Sequence, residues 1–439
     1  MIARTRTTVA VVASALVALA ATAYAASHAH DNGQIAPAPT PTMAQVIPDY
    51  LARNGIIGDL EADVRRHPDQ LDTRMLAAQY LQRFREAPDV GDLLRAVANA
   101  QLAMHYQPRY NVAAESTLAS AYTALHKFRV AKRYADDVVL LTPWSPDARA
   151  TAASLDIELG QYAKAGTLLS QSPGARADTS WQTAAARYAE LTGNVAAARD
   201  LIASALGDID DNAYAAAENR AWFHWRAGDL AFEAGDLTTA ETDYKVALAI
   251  FPNYWHATNG LAKVYWASRR WREALAFAKQ SAGVYPLPEA LGYEYDAQRA
   301  LGDTRGAELT AKLIGAIERI GNTQGINDRL IAIFYSDHDL SLDRAETIAR
   351  RDLASRDDVY AEDTLGWALA QAGRWGEALP HAERAVALGT QDPRLQFHTG
   401  MIELHNGKVD RARRRLRWAL SLNAHFHPFF ADEARKAVQ

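Results

Sequence analysis

Apolar residues recur at helical spacing along nearly the whole chain from about Tyr50 onward. No stretch keeps the strict alternation of apolar and polar residues that marks a β-strand, and the breaks fall at Gly, Asp and Pro. The pattern therefore predicts an all-α protein made of many short amphipathic helices.

A six-residue pattern recurs ten times between these helical stretches. It consists of Gly or a substitute, a polar residue, an aromatic or aliphatic residue, two variable positions and Ala. Its first positions are 91, 126, 160, 193, 235, 269, 302, 340, 373 and 407, so the successive spacings are 35, 34, 33, 42, 34, 33, 38, 33 and 34. Such a regular period predicts a repeat architecture.

Each position of the pattern has a physical reason. Gly relieves the left-handed conformation that ends one helix, and Asp, Asn or Ser accepts from free N–H groups at the start of the next. The Ala allows two helix backbones to approach closely. Twelve residues after the Ala, a proline often closes the second helix, at Pro108, Pro143, Pro252 and Pro286. One helix pair cannot bury its apolar faces alone, so neighbouring pairs stack into a superhelix.

This combination resembles the tetratricopeptide repeat. The best copy contains Ala227, Gly228, Gly235, Leu237, Ala240, Tyr244, Ala247 and Pro252, and the next are Leu261, Tyr265, Trp271, Ala274, Pro286 and Leu365, Gly366, Gly373, Trp375, Ala378, Ala385. The resemblance covers about Thr73 to Arg435, although no copy is complete. It implies an all-α, right-handed superhelix (an α-solenoid) of about eight to ten helix-turn-helix repeats.

The repeat loses its phase at two places. The 42-residue step predicts a loop around Gly207 to Asn219, and the 38-residue step predicts one around Gly315 to Asp328 or Asp337 to Asp339. Insertions in repeat arrays usually lie in loops, where they contact partners or are merely tolerated. We favour tolerated length.

The N-terminus has the features of a secretory signal. Arg4 and Arg6 precede an apolar stretch from Val9 to about Ala21, and Ala23 and Ala25 offer a small-residue cleavage site. We predict a signal peptide at 1–25, a Pro-rich tether at 26–50, a capping helix at 51–72 and the repeat array at 73–436. The mature protein is then periplasmic or extracellular; the alternative is an uncleaved helix that anchors the chain in the membrane.

Composition narrows the classes of function. The formal net charge of −5 becomes −7 when the leader's two arginines are removed, which argues against a nucleic-acid binder. The chain contains no cysteine, and this excludes disulfides, thiolate metal sites and a cysteine nucleophile. Apart from the leader, no segment is apolar enough to cross a membrane, so membrane contact is expected to be peripheral at most.

The resemblance also implies that the first helix of each pair lines the concave face of the superhelix. The ligand-groove candidates on that face are Trp222, Trp225, Phe232, Asn259, Lys263, Trp266, Tyr360, Asp363 and Trp367, followed by Phe397 and Met401. Aromatic rings with a few polar groups suit an extended peptide or a helical ligand. The same rings also fit helix-packing core, and both interpretations stay open.

Three other segments resemble sites only in part. Asp208 to Glu218 begins like a calcium loop, but Ala213 stands where the turn needs Gly, and a solvated acidic loop is favoured. Two histidine pairs, His28 with His30 and His425 with His427, have too few partners for a metal site. The basic run from Lys408 to Arg417 suits a solvated face better than a contact with lipid or an acidic partner.

No motif for hydrolase, phosphate-loop or dinucleotide chemistry occurs. We therefore predict a non-enzymatic protein- or peptide-binding scaffold of the bacterial cell envelope, with no cofactor and no metal. One alternative is an enzyme or enzyme subunit acting on cell-wall glycan through groove carboxylates such as Glu190, Glu294 or Glu362. The other is a purely structural spacer. Two groove carboxylates about 5 to 10 Å apart would favour the enzyme.

Overall fold

The computed structural model describes residues 48–172, 178–321 and 326–439. Within these residues the regular elements are all α-helices, which confirms the predicted fold class. The helices are α1 (Pro48–Arg66), α2 (Gln70–Glu86), α3 (Val90–Tyr106), α4 (Val112–Ala124), α5 (Phe128–Leu141), α6 (Pro146–Glu158), α7 (Tyr162–Ser170), α8 (Thr179–Leu191), α9 (Val195–Asp210), α10 (Ala217–Glu233), α11 (Leu237–Ile250), α12 (Trp255–Ala267), α13 (Trp271–Val284), α14 (Pro288–Ala300), α15 (Thr304–Gly321), α16 (Asp328–Asp337), α17 (Leu342–Ser355), α18 (Val359–Gln371), α19 (Trp375–Ala385), α20 (Pro393–His405), α21 (Val409–Leu422) and α22 (Phe430–Ala437).

Helices α2 to α21 form ten successive pairs, at the upper end of the predicted count. In each pair an even-numbered first helix packs on the odd-numbered second helix that follows it, and each pair packs on the next. We call the connection inside a pair the hairpin turn and the connection between pairs the linking loop. Helix α1 packs on the first pair, and α22 packs on the last.

The hairpin turns follow the predicted chemistry with one exception. Six of them carry a glycine in the left-handed region, at positions 160, 193, 235, 302, 373 and 407. The exception is Gly91, which lies inside α3 because Asp89 caps that helix by accepting a hydrogen bond from Gly91 N at 2.8 Å. The first hairpin turn is therefore the segment around Pro88, and the prediction of a turn at Gly91 is wrong.

Small residues let the helices of neighbouring pairs approach closely. Tyr244 on α11 is fully buried between Gly228 on α10 and Gly260 on α12. A Cβ added at either glycine would lie 2.9 Å and 2.5 Å, respectively, from a carbon of the tyrosine ring. The phenol therefore occupies space that only glycine leaves open on both sides.

Successive turns of the superhelix contact one another, and we call this contact the seam. The hairpin turn at Gly160 in the third pair lies against Asp357 in the linking loop after the eighth pair, where an added Cβ would overlap the Asp357 carbonyl oxygen. The turn at Gly193 meets Gly389 after the ninth pair in the same way. One full turn of the superhelix therefore takes between five and six pairs.

Hydrogen bonds between residues far apart in sequence fasten the seam. Val359 N donates to the Tyr162 hydroxyl at 2.9 Å, and Gln391 donates to the Gly193 carbonyl at 2.8 Å. Asn423, after the tenth pair, donates to the Phe232 carbonyl at 2.7 Å. The superhelix is therefore closed along this line, rather than an open array in which each repeat contacts only its neighbours.

The two phase breaks have different structures from those expected. Helix α9 continues to Asp210, so Asp208 and Asp210 belong to its last turn and only residues 211–216 form the loop. Helix α15 continues to Gly321, and α16 begins at Asp328. Part of each insertion is therefore helical, because the added residues still offer apolar positions to the preceding helix.

The predicted signal peptide, most of the tether, His28 and His30 lie outside the described residues. Helix α1 ends at Arg66 and α2 begins at Gln70, so a break interrupts the segment expected as one capping helix. Among the helices described, none combines the length and the apolar character that crossing a membrane requires.

Candidate binding site on the inner face

The predicted groove residues lie on the first helices of the pairs, and we call the face that these helices form the inner face. Most of the predicted aromatic residues there are closed to solvent. Trp266 on α12 and Trp367 on α18 are only 5% and 2% exposed. The Trp266 indole donates to Asp296 at 2.8 Å, and the Trp367 indole donates to Asp337 at 2.9 Å. These rings form the packed wall of the superhelix.

Three of the predicted residues form one contact group on α10 and α12. Phe232 is buried, and the Lys263 ammonium lies 4.6 Å from the centre of its ring. Lys263 also forms an ion pair with Asp229. Asn259 donates to the Glu289 carboxylate at 2.6 Å. The Lys263 ammonium and the Asn259 amide nitrogen therefore have partners inside the protein, whereas the buried Asn259 Oδ1 has none among the described residues.

The predicted residues on α18 and α20 are also engaged. The Arg187 guanidinium stacks over the Tyr360 ring at 5.0 Å, which is a contact between the fourth and ninth pairs. The Asp363 carboxylate lies 2.9 Å from Nδ1 of the buried His398. Phe397 and Met401 are buried in the same core. The Arg187 contact joins two successive turns of the superhelix, whereas the Asp363–His398 contact joins the neighbouring ninth and tenth pairs.

A chain of ion pairs runs along the middle of the inner face. Arg187 contacts Glu190 at 2.6 Å, Arg226 pairs with Glu190, and Arg226 contacts Asp229 at 3.2 Å. Burial acts to raise the pKa of Glu190, but the two arginines outweigh it and hold that pKa below its usual range. Burial together with Glu190 and Asp229 raises the pKa of the neighbouring Glu233 well above normal.

The carboxylates considered for glycan chemistry have structural partners. Glu190 belongs to the chain of ion pairs above. Glu362 contacts His381 at 2.6 Å and Arg384 at 2.5 Å. Glu294 is fully buried and accepts a hydrogen bond from Gln298 at 2.9 Å.

Tyr360 is half-buried, and so are the predicted aromatic residues Trp222 and Trp225. The two tryptophans lie on α10, with their ring centres 6.0 Å apart, and Trp225 packs on His256 at 4.6 Å. Trp222 lines a cavity of 520 Å³ on the inner face. This cavity is the accessible part of the predicted groove.

The cavity combines aromatic rings with hydroxyl groups. Four successive first helices (α6, α8, α10 and α12) form its long wall, and the end of α2 closes one side. Its lining residues are Phe84, Arg85, Pro88, Ala150, Thr151, Ser154, Thr179, Ser180, Thr183, Glu218, Asn219, Trp222, Phe223, Trp255 and His256. Sequence reasoning missed the hydroxyl residues because Ser and Thr near helix starts look like ordinary capping residues.

Burial shifts the pKa values of the polar groups around this cavity. Burial raises the pKa of Glu218, which accepts a hydrogen bond from Gln82 at 3.2 Å, while Arg85 acts in the opposite direction. Burial lowers the pKa of His256 to about 3, so its imidazole is neutral. The Tyr254 hydroxyl is buried without a hydrogen-bond partner among the described residues, and the charges of Glu218 and Arg85 act on it. The site therefore offers hydrogen bonds within an aromatic wall.

Two other sequence features have structural roles. His427 is buried, and its Nδ1 accepts from Phe429 N and Phe430 N at 3.2 Å each. In the basic run, Arg411 and Arg415 contact the buried Glu403 at 2.6 Å and 3.2 Å. In the part of the chain that the structure describes, no group of three or more His, Asp and Glu side chains is placed to hold a metal ion.

The ten stacked helix pairs define an α-solenoid. Residues 231–291, from the end of α10 to the start of α14, match the model of the tetratricopeptide repeat family. The resemblance that the sequence pattern predicted is confirmed for this stretch. Repeats of this family are generally non-catalytic scaffolds for protein interaction.

Similar solved structures share the helical-repeat fold at low identity. Yeast Tom70 is 12% identical, with 89% of this chain and 93% of that chain covered and a TM-score of 0.38. The human IFIT1 dimer with PPP-AAAA is 17% identical, with 73% of each chain covered and a TM-score of 0.48. A tetratricopeptide repeat protein from Parabacteroides merdae is 16% identical, with 60% of this chain and 99% of that chain covered and a TM-score of 0.35. No curated protein matches the sequence of this chain.

Proposed function

We propose that the protein is a scaffold of the bacterial cell envelope that holds a segment of another protein or a peptide in the inner cavity. The observation that carries this proposal is the 520 Å³ cavity itself, in which hydroxyl groups on α6 and α8 lie beside aromatic rings on α10 and α12. Its size lies within the range of about 300 to 1,000 Å³ that ligand pockets occupy.

The chemistry of the wall suits a short, extended segment with both apolar and polar groups. The rings of Trp222 and Trp255 offer contact area with little side-chain entropy to lose. The hydroxyls of Thr179, Ser180 and Thr183 on one helix can pair with backbone amides of a bound segment. The neighbouring part of the inner face is occupied by the ion pairs that link Arg187, Glu190 and Arg226, so we place the ligand at this end of the superhelix.

The proposed location rests on the signal-like pattern of residues 1–25. Cleavage after Ala25 releases a periplasmic or extracellular protein, and contact with the membrane is then peripheral. N-terminal sequencing of protein from its own cells tests this, and a mature N-terminus at or near Ala26 is expected. Recovery of the intact leader in the membrane fraction supports the anchor instead.

A photo-crosslinking amino acid at position 219 tests the proposed function. Asn219 lines the cavity and is exposed, so a crosslinker there samples the site without disturbing the core. We expect ultraviolet light to capture a discrete protein from the native cell envelope, and we expect Trp222→Ala to abolish the capture. The captured species is identified by mass spectrometry.

The matched control places the same crosslinker at Trp418, a partly exposed residue on α21 far along the chain. Circular dichroism melts of each variant check that the fold is kept. Capture of the same species from both positions contradicts the proposal, and so does capture that survives Trp222→Ala. Absence of any capture leads to the alternatives, with glycan hydrolysis assays first.

A further inference from the structure

Four large apolar side chains are more exposed than any others of their kind among the described residues. Tyr110, Leu140, Trp144 and Tyr214 are 76%, 77%, 76% and 98% exposed. They lie in, or directly before, the linking loops after the first, second and fourth pairs. Exposed rings gathered on one edge of a molecule are typical of an interaction surface.

Linking loops of the same kind are covered elsewhere in this molecule. The loops after the eighth, ninth and tenth pairs lie in the seam, against the hairpin turns of the third, fourth and fifth pairs. The loops after the first, second and fourth pairs have no preceding hairpin turn on which to pack, and residues 213–216 instead line a pocket with Ala52 and Ile56 of α1. We call loops 107–111, 142–145 and 211–216 the free loop edge.

The other end of the superhelix carries the matching half of such an interface. At Gly302, Gly373 and Gly407 an added Cβ would meet nothing within 4 Å, whereas the seam glycines are covered. Leu301 and Val409, beside two of these turns, are 42% and 41% exposed. We call the hairpin turns of the seventh to tenth pairs (301–304, 338–342, 372–375 and 406–409) the free turn edge.

The two edges have the same spacing. In the seam, each hairpin turn meets the linking loop that lies five to six pairs further along the chain. Within one molecule Asn423 already covers the fifth turn, and the Pro428 carbonyl accepts from Arg269 at the sixth.

If α22 of this copy and α1 of a second copy stack as one further pair, the second copy's loops after its first, second and fourth pairs lie five pairs beyond the seventh, eighth and tenth turns of the first copy. Tyr110 then lies beside Leu301, and Tyr214 lies beside Val409.

From this continuity we propose that the free loop edge of one molecule binds the free turn edge of a second copy of the same chain, and so extends the seam across the junction. Such an interface is head-to-tail, and because each molecule keeps one unused edge, it builds open chains rather than closed dimers. The proposal is independent of the ligand held in the inner cavity, since neither edge contributes a residue to that cavity.

Sedimentation of the mature full-length protein tests the proposal. We expect its average mass to rise with concentration beyond that of a dimer. Trp144→Glu on the free loop edge and Leu301→Glu on the free turn edge should each weaken association at least about tenfold, which corresponds to about 1.4 kcal/mol. Both side chains are exposed, so thermal melts should stay unchanged, and Trp418→Ala is the control.

A mixture of the two variants tests whether the interface is head-to-tail. Trp144→Glu keeps a native turn edge and Leu301→Glu keeps a native loop edge, so the mixture should form a one-to-one dimer and nothing larger. A native protein that stays monomeric up to about 1 mM overturns the proposal. Self-association lost in Trp144→Glu but kept in Leu301→Glu also overturns it, because the loop edge then binds itself. Binding of the monomer to phospholipid vesicles through Trp144 assigns that edge to a membrane instead.

Discussion

Several buried polar residues in this protein hold helices and backbone groups in place through hydrogen bonds. His427 shows the physical constraint most clearly, since its Nδ1 accepts from two backbone N–H groups at the start of α22. A protonated Nδ1 cannot accept, so the native fold requires the neutral ring. Burial, together with Arg394 and two nearby histidines, lowers its pKa well below the usual value.

This constraint predicts a loss of stability in acid. The unfolded chain binds a proton at His427 below a pKa of about 6.5 and the native state does not, so stability falls as pH decreases from 6.5. The slope from this group reaches about 1.4 kcal/mol per pH unit. We expect His427→Asn, whose amide oxygen still accepts, to have a shallower pH dependence of its free energy of unfolding in urea.

The comparison with the native protein isolates His427. His338 titrates with the opposite sign, because hydrogen bonding to Asp296 outweighs its burial and raises its pKa. That contribution is present in both proteins and cancels in the difference. Equal losses of stability between about pH 7 and pH 5 in the two proteins would contradict the assignment.

At the scale of the helix pair, the alanine of the repeated pattern sets the distance between two helices. Each of the ten alanines is buried, at positions 96, 131, 165, 198, 240, 274, 307, 345, 378 and 412. The close packing of Tyr244 against Gly228 and Gly260 belongs to the same layer. A larger residue at the alanine position has no free volume to enter.

We expect Ala240→Leu on α11 to lower the free energy of unfolding by about 1 to 3 kcal/mol through overpacking. Thr238→Leu, on the exposed side of the same helix, is the control and should change stability by less than about 0.5 kcal/mol. Denaturant titrations followed by circular dichroism measure both. Equal stability of the two variants would show that α11 faces its partner differently.

The local pattern was sufficient to predict an all-α array of about eight to ten helix pairs with closely packed alanines, because these features depend on residues within about one repeat of each other. The same pattern was not sufficient to predict which parts of the inner face are accessible to solvent and which are closed by packing. Trp266 and Trp222 both lie on first helices, but only Trp222 lines the cavity. The closing contacts, such as Arg187 on Tyr360, join residues 173 apart, which no local period encodes.

At the scale of the whole molecule, the seam changes how stability is distributed. In a simple solenoid, each repeat is stabilised only by its neighbours. Here the third, fourth and fifth pairs also depend on the eighth, ninth and tenth, through backbone contacts at Gly160 and Gly193 and the Asn423 hydrogen bond. A destabilising substitution in the early pairs should therefore also destabilise the late pairs that they contact.

Two glycines with the same local geometry test this coupling. Gly160 and Gly373 have φ values of 71° and 76°, but only Gly160 is covered by the next superhelical turn. Alanine in the left-handed region costs roughly 1 to 2 kcal/mol at either position. Gly160→Ala should lose about 1 to 3 kcal/mol more, because its Cβ overlaps Asp357.

Hydrogen exchange should locate the extra loss at residues 354–359, almost 200 positions away from the mutation. Faster exchange there in Gly160→Ala but not in Gly373→Ala is the expected result. If the two variants are equally stable and exchange alike, the superhelical turns do not support each other.

The seam also sets the order in which the fold can be completed. Most contacts in the ten pairs are local and form quickly, whereas the Tyr162 and Val359 partners are separated by 197 residues and must await closure of that loop. As the chain is made from its N-terminus, the turns at Gly160, Gly193 and Gly235 stay uncovered until the last three pairs exist. The last three pairs therefore complete the seam by covering hairpin turns that were made much earlier in synthesis.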